Sequence, residues 1–389
     1  MSTKSKATDA SMRGLVSLTK TTQTLLAHFQ SSLSPSQTPS KPPAPTASSS
    51  APEPNALDVV KVTTTLLKSH TTTLSLLLLT PPLTPSALIK KIGDVSSGVL
   101  SNLVAAASTS VSPGQKDELG DLMRAELRTQ VRRLIGTWGE VLALVLRLAE
   151  RRESATGKDE GPTESERQDV LAATGVVWEA CDSLLKVCQD GVVGLVVKKA
   201  EQWRGVLMDA VEELKEWGDD VADEEDEDED KAEGSDEDDG GFGDEDDIFG
   251  AANKLGKGDK ELKALLDTSV KKLKKVGMLY QALIKRRLKT FPKSPSIPAA
   301  TTNGESTSPP PDLMPTLDRL MVLVKAIPET VDDLASAFYD LDEDEAKETL
   351  DKCCGEAKSA VDLVKQSWAG TDDEFTAWSA KWVEALDAS

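Results

Sequence analysis

An all-α fold of packed helical bundles, with no β-sheet, is what this sequence predicts, and three observations predict it. Apolar residues recur every three or four positions through seven long segments. No segment alternates with a period of two, and no pair of short β-rich runs flanks a hairpin turn. Stretches rich in Pro, Ser or acidic residues separate the periodic segments.

The elements follow in order. Met12, Leu15, Leu18, Leu25, Leu26, Phe29 and Leu33 form the stripe of an N-terminal helix within 1–33, and a Pro/Ser-rich linker spans 34–55. Leu57, Val60, Leu67, Leu74 and Leu78 give a second helix. Thr84-Pro85 starts a third, with Leu88, Ile92, Val95, Val99 and Leu103, since Pro suits the first helical position. Leu119 to Leu148 keeps one apolar face for about eight turns, with Trp138 at its centre. Helices over Val170–Cys188 and Val193–Trp217 complete an N-terminal bundle assigned to 56–218. An acidic tract occupies 219–250, and a C-terminal bundle fills 251–389, interrupted by a Pro-rich linker at 292–312. In that bundle Leu262 to Ile284 makes one long helix, and about four shorter ones follow, divided at Pro328, near Asp342 and at Gly370. Each stripe covers roughly a third of its helix and needs several partners to bury it, which favours bundles over a two-stranded coil.

Charge is concentrated in one place. Of a net −21, the segment 219–247 carries −18, with 19 acidic residues against Lys231, so the rest of the chain is close to neutral. A run such as DEEDEDED buries too little apolar surface to offset its ordering entropy and is expected to be disordered. Hydrophobic residues make up 39% of the chain, below the usual ~45–50%, as a partly unfolded chain requires. Lys254 to Lys289 then carries 12 basic residues against three acidic ones, and the two regions can screen each other. Direct nucleic-acid binding is therefore not expected. Ser235, followed by Asp236, Glu237 and Asp238, is a candidate phosphosite for an acid-directed kinase.

Catalytic and cofactor chemistry finds little support. Four Cys and two His exclude a disulfide scaffold and leave no metal-ligand or triad spacing. Cys181 and Cys188 lie two turns apart on an apolar face, and His70 sits on an apolar stripe; both patterns are those of packing. Gly250 to Lys260 has the wrong glycine spacing for a phosphate loop. No enzyme, no cofactor and no metal are expected. The first residues lack an apolar signal-peptide core, and no apolar run approaches the ~20 residues that span a bilayer, so a soluble intracellular protein with reduced thiols and no membrane attachment is expected. Phe375, Trp378 and Trp382 share one face of the last helix; core packing explains them, and a face for a partner helix is the sharper reading.

The segment Thr174 to Lys186, TGVVWEACDSLLK, resembles the TGxVWEACD-type block of the cyclin-D1-binding protein 1-like family. Arg132 to Val145 before it, and the acidic stretch with Gly240 to Gly250 after it, resemble that family's layout. The resemblance covers 55–290 and is most specific over 120–250. It implies an all-α, vinculin- and α-catenin-like architecture without catalytic activity. It implies protein partners, D-type cyclins or helix-loop-helix factors, for a monomer in nucleus and cytoplasm that restrains cell-cycle progression and transcription. It makes Trp178, Glu179, Cys181 and Asp182 the family block, with Trp178 and Cys181 expected in the core and the two carboxylates capping or bridging. The alternative is an acidic nuclear chaperone-like protein that binds basic partners through 219–247. A third reading, a cytoskeletal adaptor, would need an actin or membrane site, for which the basic helix at Lys271 to Lys289 is the nearest candidate.

Overall fold

Apolar spacing at three and four residues is realised as helix throughout the described residues, and no strand occurs among them. The computed structural model describes residues 2–34, 55–109, 117–154, 161–219, 255–256, 258–292 and 313–388. Most of the Pro/Ser-rich linker, of the acidic tract with Ser235, and of the Pro-rich linker lies outside the described residues. The chain divides into two compact units, residues 1–195 and 196–389.

The first unit comprises α1 (Ser2–Ser32), α2 (Ala56–Leu79), α3 (Pro85–Asp94), α4 (Ser101–Ser108), α5 (Gly120–Ser154) and the first arm of α6 (Glu164–Asp219), with a π-helical turn, Val95–Leu100, joining α3 to α4. Local chemistry sets the starts. The Asn55 side chain accepts from the Leu57 amide at 2.9 Å and begins α2. Pro85 takes the first position of α3, as the sequence predicts. Thr163 and Glu166 exchange backbone and side-chain bonds in a capping box that begins α6. The α5 stripe is buried from Met123 to Ala149, with Trp138 fully enclosed. α1 lies along α5, where Gly136 and Gly139 admit Gln30 and Leu26 closely. α1 also meets α3, α4 packs on α2 and α5, and the α6 arm is tied to both α2 and α5 by ion pairs. The N-terminal helix is therefore part of this bundle, not the separate element that 1–33 was expected to be. α1 and α2 are rich in Thr, a weak helix former, yet the buried hydroxyls of Thr19, Thr22, Thr63 and Thr71 donate to carbonyls four residues back and stay satisfied.

The division between units also falls elsewhere than at the acidic tract. Gly191 has φ 64° and ψ −167°, a conformation open to glycine and strained for other residues, and it kinks α6. Beyond the kink the stripe of Ala200, Leu207, Val211 and Leu214 is buried in the second unit. Arg204 donates to the Gly277 carbonyl at 3.2 Å, and Trp217 meets Phe338 and Tyr339. The segment 196–218, assigned by sequence to the N-terminal bundle, thus packs with the C-terminal one.

The second unit adds α7 (Lys260–Leu283), extended by a π-helical turn, Ile284–Leu288, then α8 (Met314–Tyr339), α9 (Glu343–Leu363) and α10 (Glu374–Asp387). α8 runs through Pro328, where a helix boundary was expected. Proline removes the amide that would reach the Val324 carbonyl and strains the turn. The buried Tyr280 hydroxyl of α7 donates to that same carbonyl at 2.6 Å, so the acceptor is not orphaned and the helix continues. The breaks near Asp342 and Gly370 do occur: Asp342 caps α9 through the Glu345 amide, and Gly370 has φ 75°.

Candidate interaction surfaces

The family block occupies one and a half turns of α6. Cys181 is fully buried, as expected, and burial pushes its thiol up to about 12. Glu179 pairs with Arg133 of α5 at 2.8 Å, and Asp182 pairs with Lys68 of α2 at 2.6 Å. The two carboxylates bridge α6 to its two neighbours. Trp178 departs from expectation. It is 38% exposed, with the Lys68 ammonium 5.9 Å from its ring centroid, because its position lies on the flank of the stripe rather than at its centre, where Val177 and Cys181 sit. Elsewhere α6 leaves Leu171 and Val176 exposed, and α2 leaves Val62, Leu66 and Leu76 exposed. α2 and α6 thus expose individual apolar side chains, one partly exposed indole, and paired charges of both signs.

The aromatic face of α10 has a different fate. Phe375 is 1% exposed and Trp382 5%, and the Trp382 indole donates to the Lys275 carbonyl of α7 at 2.8 Å. These two belong to the core of the second unit. Trp378, stacked against Trp382 at 6.2 Å, stays half-buried and lines a cleft of about 280 Å³ with Met278, Gln281, Lys285, Arg286 and Glu374. Of the three residues offered as a partner face, Trp378 alone opens to solvent.

Sequence reading missed a buried and heavily bonded arginine. Arg287, which falls within the basic helix at Lys271 to Lys289, is 1% exposed. Its guanidinium donates to the Val364 and Lys365 carbonyls that end α9, at 2.6 and 2.9 Å, and to both oxygens of Asp373, at 2.7 and 2.9 Å. It also stacks 4.3 Å from the Phe375 ring. Asp373 in turn caps α10, and the Arg287 guanidinium holds its carboxyl well below the usual carboxylate range. The π-helical turn is what aims Arg287 inward, and helical periodicity gives no warning of such a turn. The KRR run at 285–287 was the available signal, and it reads equally as a solvated face.

His70 is half-buried, with Nδ1 3.5 Å from the Lys91 ammonium, and burial together with that charge lowers its pKa. All four thiols are free and buried. Among the described residues no group of His, Cys, Asp and Glu could hold a metal ion, and no helix is long and apolar enough to cross a membrane.

Comparison with known proteins bears on the first unit most directly. The family model described as Grap2 and cyclin-D-interacting, N-terminal, matches residues 59–220, and so covers all but the first three residues of α2, continues to the end of α6, and includes the whole TGVVWEACD block. An uncharacterized protein of Schizosaccharomyces pombe is 24% identical over 331 residues, covering 84% of this chain and 83% of its own length. The similarity to that fungal protein thus extends well beyond the matched domain. Over residues 59–220 this chain is similar to the N-terminal region of the Grap2 and cyclin-D-interacting family.

Proposed function

We propose that this chain is a non-enzymatic interaction protein, a monomer of nucleus and cytoplasm, that restrains cell-cycle progression and transcription by sequestering a cyclin or a helix-loop-helix factor. The observation that carries the reading is that the matched domain turns Trp178 of the family block partly outward, beside Lys68 of α2 and on the same helix face as the exposed Leu171. An amphipathic helix of the partner lays its apolar face on this surface, and Lys68 and Arg133 fix its register. Trp is a favoured anchor at such surfaces. The non-enzymatic part of the reading rests on the thiols: burial pushes Cys181 to about 12 and Cys188 to about 11, far from a thiolate at neutral pH.

Titration calorimetry of the intact chain with a recombinant D-type cyclin and with a helix-loop-helix dimer tests this. Trp178→Ala is expected to weaken the productive pair by about 2 kcal/mol or more, with circular dichroism unchanged. Binding of neither partner, or equal affinity for the variant, would remove the proposal. Removal of 219–247 separates the acidic-chaperone alternative: partners lost with the tract, and lost steeply with salt, belong to that reading.

A further inference from the structure

We infer that the cleft between α7 and α10 is a docking site for an acidic segment with a central aromatic residue, and that its occupant is residues 236–247 of this same chain, with Phe242 as the anchor. The inference concerns the second unit and does not depend on the function proposed for the first.

The cleft has an apolar centre and a cationic rim. Met278 is 55% exposed and stands beside the half-buried Trp378. Lys271, Lys274, Met278, Gln281 and Lys285 form one exposed strip of α7. Lys381 lies one turn from Trp378 on α10. None of Lys271, Lys274, Lys285 and Lys381 has an ion pair among the described residues, whereas Arg286 pairs with Glu374 at 2.5 Å. At 1.5 Å per residue, Lys271 and Lys285 stand about 10 Å to either side of Met278 along the helix. An exposed Met between cations separated in this way fits an apolar group that carries negative charge on both sides.

The chain contains such a segment. DEDDGGFGDEDD, residues 236–247, sets Phe242 between two quartets of carboxylates, spaced from it by Gly240, Gly241 and Gly243. In an extended strand the quartets begin about 7 and 10 Å from Phe242, which matches the spacing of the lysines about Met278.

Reach selects Phe242 over Phe249. Leu255 is fully buried just ahead of α7, and Met278 lies about 27 Å past the first residue of that helix. The chain from Phe249 to Leu255 spans about 20 Å at full extension, and from Phe242 about 45 Å. Only Phe242 crosses the distance with slack. Phe249 also lacks acidic residues on its C-terminal side, where the sequence reads GAANK. Tethering supplies an effective concentration on the order of 1 mM, so an intrinsic Kd of about 0.1 mM leaves the cleft about nine-tenths occupied.

Peroxide oxidation of Met278 in the full chain, followed by peptide mass spectrometry, reads occupancy, and the buried Met123 and Met321 serve as internal controls. At low salt Met278 is expected to oxidise on the order of tenfold faster in Phe242→Ala, and in the chain lacking 219–247, than in the intact chain. Phe249→Ala should match the intact chain, about 1 M salt should abolish the protection, and dilution should leave it unchanged. Equal Met278 rates in the intact chain, the Phe242 variant and the deletion would overturn the inference. Protection that fades on dilution would overturn it in favour of a second copy. Protection of the deletion chain by anionic vesicles, with the intact chain unprotected alone, would overturn it in favour of a lipid surface.

Discussion

The family block on α6 and the aromatic face on α10 each carry tryptophan beside an apolar stripe, with opposite outcomes. The first holds Trp178 by itself, and the second holds Phe375, Trp378 and Trp382 at spacings of about one turn. Trp382 is enclosed and bonded to the Lys275 carbonyl, while Trp178 keeps 38% of its surface in water beside Lys68. The difference lies in what each helix meets. α10 is short, is capped by Asp373, and rests against α7, whose Arg287 and Lys275 supply partners for its cap and its indole. The first arm of α6 has a fuller stripe of its own in Val170, Val177, Cys181 and Leu184, so the bundle closes without Trp178. An aromatic is core where the rest of its helix cannot fill the interface, and surface where it can.

Substitutions can break that comparison. The largest effect is expected from Arg287→Met, which strands the Asp373 carboxylate and the carbonyls ending α9; denaturant unfolding should show a loss of about 3–5 kcal/mol. Next comes the contrast itself. Trp382→Ala should cost about 3–5 kcal/mol, as truncation of a buried aromatic does, and Trp178→Ala below about 1 kcal/mol, as a surface change does. Equal losses for the two tryptophans would contradict the distinction drawn here. Tyr280→Phe leaves the Val324 carbonyl beside Pro328 without its donor, and should lower stability by about 1–2 kcal/mol while the native fold persists.

The smallest effect is one of pH. Asp373 is depressed in the folded state by Arg287, so its contribution is complete above the ordinary carboxylate range near pH 4 and is lost as pH falls below it. The thermal midpoint of the intact chain should therefore fall more steeply below about pH 4 than that of Arg287→Met. Parallel acid limbs for the two chains would show that the pair contributes no pH dependence.

Much of the fold was legible in advance, for a physical reason. Burial of one face of a helix imposes a repeat that survives whatever the partner helix is, so the stripes from Met12 to Leu33, from Leu119 to Leu148 and from Leu262 to Ile284 could be read one at a time. The TGVVWEACD block was equally legible as a string, and the carboxylates at Glu179 and Asp182 do bridge to α5 and α2.

What the sequence by itself determined is the helical class, the resemblance carried by residues 59–220 and the place where charge is concentrated, because periodicity, motif and composition are local properties of the chain. Tertiary structure alone decided three further things. It carried α8 through Pro328, since a hydroxyl from another helix replaced the missing bond. It turned Arg287 inward, since carbonyls ending α9 and a cap on α10 converge on the π-helical turn that bears it. It moved 196–218 into the second unit, since a stripe records that a face is buried and not which helices bury it.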